Sequence, residues 1–198
     1  TNMTDVVNRL TVTDGLTLNG AVSTAGLSDL TLETTNANVV QQSGTLTTDV
    51  LTLDIGTGDG TFTAGTTDIN TLRAPSAANI ALTDTDGVTI GSVDATMLTV
   101  IADDAIDQEA GSTITLAGLG DLTTSGDAVT LTQAGNDFAT VTVDTTAGSS
   151  AAADVAITDA SAVEFGDIDA ASLTVIAGGD VSQTTGTRVS ATGTTTLT

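Results

Sequence analysis

One stretch of this chain occurs twice. Residues 79–111 align without a gap on residues 154–186, an offset of 75, with fourteen of 33 positions identical. The identities include all of Leu-Thr-Val-Ile-Ala at 98–102 and 173–177. A looser copy lies upstream. Residues 10–15 match 82–87, Gln41 and Gly44 match Gln108 and Gly111, and residues 67–72 match 136–141. The chain therefore reads as one continuous repeat rod over 1–198, with copies at about 8–78, 79–153 and, in part, 154–198. It begins at Thr1 without Met and stops inside a Thr/Leu pattern, which suggests a piece of a longer protein. A unit repeated in this way buries its apolar side against its own copies, which limits the folds open to it.

Within the repeat, apolar pairs two residues apart recur every few residues. Leu98/Val100, Ile114/Leu116, Val129/Leu131, Val141/Val143, Val155/Ile157, Val163/Phe165 and Leu173/Val175 are examples. Thr, Ser or Asp flanks each pair, giving the two-residue alternation of a half-buried strand. Gly, Asp, Asn and Ser stand between the pairs and supply turns. With 44 Thr, 22 Asp and 21 Gly among 198 residues, helix is disfavoured along the whole chain. The fold class is all-β. Two architectures suit many short, evenly spaced strands: a β-solenoid and tandem β-sandwich modules. The solenoid is the leading expectation. Its repeat is open-ended, its loops absorb copies of unequal length, and its narrow core stacks aliphatic side chains. A sandwich core normally fills a gap of ~10 Å with larger groups, and this chain has only Phe62, Phe138 and Phe165. Those three are expected in the core. Eight to ten coils at ~4.8 Å would give a rod of roughly 40–50 Å.

The run Asn136-Asp-Phe-Ala-Thr-Val-Thr-Val143 is followed by Leu173-Thr-Val-Ile-Ala-Gly-Gly-Asp-Val181. This resembles the repeat region of filamentous-haemagglutinin-like giant bacterial surface exoproteins, whose phrase L-T-V-x-A-x-G-D-[IV] matches Leu173, Thr174, Val175, Ala177, Gly179, Asp180 and Val181. Copy two departs from it, with Asp104 and Ala105 in place of Gly-Asp. The resemblance implies a parallel right-handed β-helix, export to the bacterial cell surface or beyond, and a structural role as adhesin stalk or surface filament.

Composition removes many chemistries. The chain has no Cys, His, Lys, Trp or Tyr. Thiolate metal sites, Cys nucleophiles and Ser-His-Asp triads cannot be built. A formal charge of −22, with Arg9, Arg73 and Arg188 as the only cationic side chains, repels nucleic acid. No apolar run approaches the ~18 residues of a membrane span, so membrane insertion is not expected. Gly56-Thr-Gly-Asp-Gly60 lacks the Lys and helix start of a phosphate loop. Thr-x-Thr motifs start at irregular intervals, which does not suit an ice-binding face.

Carboxylates at glycine-containing turns form the one candidate site. Asp84, Asp86, Asp54 and Asp59 stand beside such turns, and Asp103, Asp104 and Asp107 cluster further on. Hard cations such as calcium take several oxygens of this kind. Asp also favours turns because its side chain caps local backbone, and no full calcium-loop motif is present. Gln108 and Gln183, one repeat apart, read as turn or ladder hydrogen-bonding residues. Gly91/Gly166 and Gly111/Gly186 read as corners needing positive φ. The expected function is structural and non-catalytic, with no cofactor beyond candidate calcium. Expected partners are neighbouring repeats and head-to-tail copies, with the host or matrix receptor unspecified. The alternatives are a calcium-dependent tandem β-sandwich adhesin and a polysaccharide-acting β-helix enzyme.

Overall fold

In the computed structural model, residues 9–24, 29–149 and 151–198 are described. They contain twenty-one strands in one sheet and no helix. Alternation explains the strands. Thr45–Asp54 buries Leu46, Thr48, Leu51 and Leu53 and turns Thr45, Thr47 and Asp49 outward. β-Branched Thr fits the outer, pleated surface, while Leu, Val and Ile fill the inner one. Every apolar pair named above is buried, and so are Phe62, Phe138 and Phe165.

Every pairing among the described strands is parallel. Each residue meets one a full turn further along. One column runs Leu30, Leu51, Leu72, Ile90, and another runs Ile80, Leu98, Gly120, Val141, Phe165. A sandwich would pair its strands antiparallel through hairpins. That alternative is overturned. The chain is a β-solenoid of about nine turns, roughly 40 Å long at the spacing of paired strands.

A typical turn has three sides. Residues 88–90, 93–95 and 97–102 form one turn, which lies under residues 106–108, 114–116 and 120–124 of the next. The 75-residue repeat is not a whole number of turns. Ile80 belongs to the column of Leu98, yet its repeat mate Val155 belongs to that of Val88, Ile106 and Val129. Each repeat makes three turns and one further side.

The extra side has a local cause. Among the described residues no strand stacks on the far side of residues 66–69 or of residues 137–138. Asp84 and Asp159 close those ends instead, and the neighbouring strand then divides in two. Residues 88–90 and 93–95 both lie on Thr66–Ser76, with a register shift between Ile90 and Val93. Residues 163–165 and 168–170 both lie on Asp137–Asp144, with the corresponding shift. Gly91 and Gly166 fall inside these shifts. They do not have the positive φ expected of them. A Cβ at Gly91 would approach Arg73 Cγ to 2.6 Å, and one at Gly166 would approach Thr142 Oγ1 to 2.4 Å. Close approach at a bulge, rather than a left-handed corner, therefore accounts for glycine here. Gly111 and Gly186 do have positive φ, +79° and +91°.

Candidate functional site

The polar residues that stand out are those inside the rod. Asp84 is 1% exposed and Asp159 is 2% exposed. Ile69 N–H donates to Asp84 Oδ2 at 3.1 Å, and Asp86 N–H donates to Asp84 Oδ1 at 3.2 Å. One repeat later, Phe138 N–H donates to Asp159 Oδ2 at 2.6 Å, and Ser161 N–H donates to Asp159 Oδ1 at 2.8 Å. Each carboxylate supplies the acceptor that a further strand would have supplied. The following residue reinforces the cap, because Thr85 N–H donates to Thr67 O at 3.0 Å and Ala160 N–H to Asn136 O at 2.7 Å. Burial pushes the Asp84 carboxyl up to about 8, and a side-chain hydrogen bond with Asp86 adds to this against the two backbone donors. In copy three Ser161 stands where Asp86 stands, and its hydroxyl donates to Asp159 Oδ1 at 3.2 Å.

A second polar station recurs beside each cap. Gln108 Nε2 donates to Asn136 Oδ1 at 2.6 Å, and Asn136 Nδ2 donates to Gln108 Oε1 at 2.9 Å. Asn136 Oδ1 also accepts from Ile114 N–H at 3.0 Å. In copy one, Thr67 Oγ1 donates to Gln41 Oε1 at 2.8 Å. Asn136 and Thr67 are fully buried, which makes these bonds obligatory. Gln108 is thus a hydrogen-bonding residue of the ladder, as its spacing suggests. Gln183 donates to Thr187 O at 2.6 Å. Asn136 and Asp159 were missed by sequence reasoning. The identity of Asp84 and Asp159 across the repeat was the available signal for the second.

The acidic candidates are spread along the rod. Asp84 and Asp86 share one turn. Asp54 is a half-buried rung between Glu33 and Ser76. Asp59 accepts from Asn79 Nδ2 at 2.7 Å. Asp103, Asp104 and Asp107 are exposed. Asp104 accepts from its neighbour Ala105 N–H at 2.8 Å, and Asp107 is a rung between Thr89 and Thr130. Among the described residues no three carboxylates converge as a cation cage would require. The three arginines each hold a carboxylate of another turn: Arg9 with Glu33, Arg73 with Glu109 at 2.5 Å, and Arg188 with Asp169 at 2.6 Å.

Stacked parallel turns, an aliphatic core and recurring polar caps define a β-solenoid repeat protein. Residues 77–145 and 152–198 match the family of repeats of unknown function designated DUF5649, and the chain belongs to that family. The two matched stretches begin two residues before Asn79 and Asp154, where the sequence copies begin. No curated protein and no solved structure matches the chain.

Proposed function

We propose that this chain is a passive load-bearing rod, part of the extracellular stalk of a bacterial adhesin or of a surface filament, and that it carries out no catalysis. The observation that supports this reading best is the continuity of the ladders over about nine turns. Tension along the rod axis is shared by many parallel hydrogen bonds between adjacent turns, and the caps keep the core closed wherever a side ends. The outer surface, rich in Thr and Asp, keeps such rods hydrated and apart. Antibodies raised against the purified chain should label intact producing cells without permeabilisation, and deletion of residues 79–153 from the gene should reduce surface attachment. Labelling confined to permeabilised cells would sink the surface assignment. Turnover of acidic polysaccharides by the purified chain would sink the claim of a passive rod.

A further inference from the structure

We propose that Arg73 and Glu109 form an ionic strap across Gly91, which holds closed the joint where one side of the rod ends, and that ionic strength sets how firmly it holds. Leu72, Ile90 and Gln108 are successive rungs of one ladder. The residues that follow them, Arg73, Gly91 and Glu109, therefore come from three successive turns. Arg73 Nη2 donates to Glu109 Oε1 at 2.5 Å, and Arg73 Nε donates to Glu109 Oε2 at 3.1 Å. Two parallel bonds from one guanidinium add both strength and directionality. Hydrogen bonding to Arg73 holds the Glu109 carboxyl below its ordinary range. Among the described residues the other two ion pairs, Arg9 with Glu33 and Arg188 with Asp169, join adjacent turns. This one passes over the turn between.

Such a span needs an open middle rung. Backbones two rungs apart are roughly 9–10 Å from each other, so two long side chains meet only if nothing stands between them. A Cβ at Gly91 would come to 2.6 Å from Arg73 Cγ and 2.9 Å from Glu109 Oε2. Gly91 lies in the register shift that divides residues 88–90 from 93–95, beside the side that Asp84 closes. Glu109 N–H donates to Ile90 O at 2.9 Å, so the strap is also tied to the strand it crosses.

The second joint has the same frame without the charges. Val141, Phe165 and Gln183 are successive rungs, and Thr142, Gly166 and Thr184 follow them. Thr184 N–H donates to Phe165 O at 2.8 Å, as Glu109 does to Ile90. Neither threonine is ionic, and the Thr184 hydroxyl donates instead to Glu164 Oε1 at 2.9 Å. The frame therefore belongs to the repeat, and the strap to the first joint. The Arg73 and Glu109 side chains are each 38% exposed, so dissolved salt reaches the pair and weakens it. Elsewhere salt relieves repulsion among carboxylates that have no cationic partner. Rising salt tightens the rod as a whole and loosens this joint.

Hydrogen exchange of the whole chain, read by mass spectrometry, tests the strap. In about 0.01 M NaCl, peptides spanning residues 88–95 should exchange about twofold to fivefold faster in Arg73→Ala than in wild type, the worth of one partly exposed ion pair. Peptides spanning residues 137–144 should exchange alike in both. In about 0.5 M NaCl the difference at 88–95 should shrink. Asp29 also attracts Arg73, and Glu109→Gln leaves that attraction in place while removing the charge that the strap needs. Glu109→Gln should therefore lose protection at 88–95 as Arg73→Ala does. Circular dichroism confirms that each variant is folded, and Glu109→Gln covers the case in which Arg73→Ala is not. Equal exchange in wild type and the folded variants at low salt overturns the proposal, as does a loss of protection that Glu109→Gln does not share. A difference of the same size at both salt concentrations also overturns it, because the apolar stem of Arg73 rather than its charge would then hold the joint.

Discussion

Asp84 is a carboxyl group kept out of water, with a second carboxyl group beside it. Its folded-state pKa of about 8 lies well above the ordinary value near 4. The folded chain therefore holds a proton that the unfolded chain releases between these values. The resulting stabilisation is fully present below about pH 4 and is lost as pH rises through about 8. Ordinary surface carboxylates have finished titrating by about pH 6, so the window from about pH 6 to 9 reports on carboxyl groups that burial raises, chiefly Asp84, with Asp121 beside Asp144 raised in the same direction. Thermal midpoints should fall across that window, by as much as ~1.4 kcal/mol of stability per pH unit where the difference in bound protons is complete. Asp84→Asn keeps a side-chain acceptor for Ile69 N–H and cannot titrate, so its midpoints should fall less there than those of wild type. A wild-type profile that falls no more than that of Asp84→Asn would show that the group is ionised throughout. Asp86→Ser copies the arrangement at Asp159 and Ser161. It should move the wild-type fall toward lower pH, because it removes the neighbouring carboxyl that assists burial in raising the pKa.

At the scale of one turn, stability depends on what lies above and below each corner. Gly44 and Gly111 occupy the same repeat position with φ of +85° and +79°. A Cβ at Gly44 would come within 2.4 Å of the Gly20 backbone, whereas a Cβ at Gly111 would meet nothing within 4 Å. Gly111→Ala should therefore cost about 1 kcal/mol, the penalty of the left-handed conformation, and Gly44→Ala clearly more. Urea midpoints of the two variants decide this, and equal shifts would mean that the turns separate freely at the Gly44 corner. Asn136→Ala leaves Ile114 N–H and the Gln108 amide without their partner. It should cost about 2–4 kcal/mol in the same assay, since each buried unpaired group costs roughly 1–3 kcal/mol. The strands themselves were legible in the sequence, because the Leu98/Val100 and Val155/Ile157 pairs have a period that only a strand can bury on one face. Asn136 was not legible. Its polar side chain follows Gly in a segment that reads as a turn, and its role depends on Gln108, 28 residues earlier in sequence but adjacent in space.

Over the whole molecule, the repeat and the turn have different periods, and sequence alone shows only the first. Alignment of residues 79–111 with 154–186 marks where the chain repeats itself. It does not show that Val155 has moved to a different side from Ile80, because that follows from Asp84 and Asp159 ending one side and the register shifts dividing another. Composition, by contrast, bears directly on the surface. All three arginines are already paired between turns, so most of the 25 acidic groups face water without a cationic partner. Repulsion among them acts along the full length of the rod and is relieved by any counterion within a Debye length. Raising NaCl from about 0.01 M to 0.15 M, which shortens that length from ~30 Å to ~8 Å, should raise the thermal midpoint by several degrees. Calcium chloride separates screening from binding. Asp54 and Asp59 are half-buried on one turn, Asp103, Asp104 and Asp107 are exposed further along the rod, and no three carboxylates converge among the described residues. At matched ionic strength calcium should therefore stabilise no more than sodium does, and EDTA should leave the midpoint unchanged. A rise that saturates at micromolar calcium in a background of about 0.15 M NaCl would instead identify a specific site. Asn substitutions at Asp84 and Asp86, tested separately from those at Asp103, Asp104 and Asp107, would then locate it.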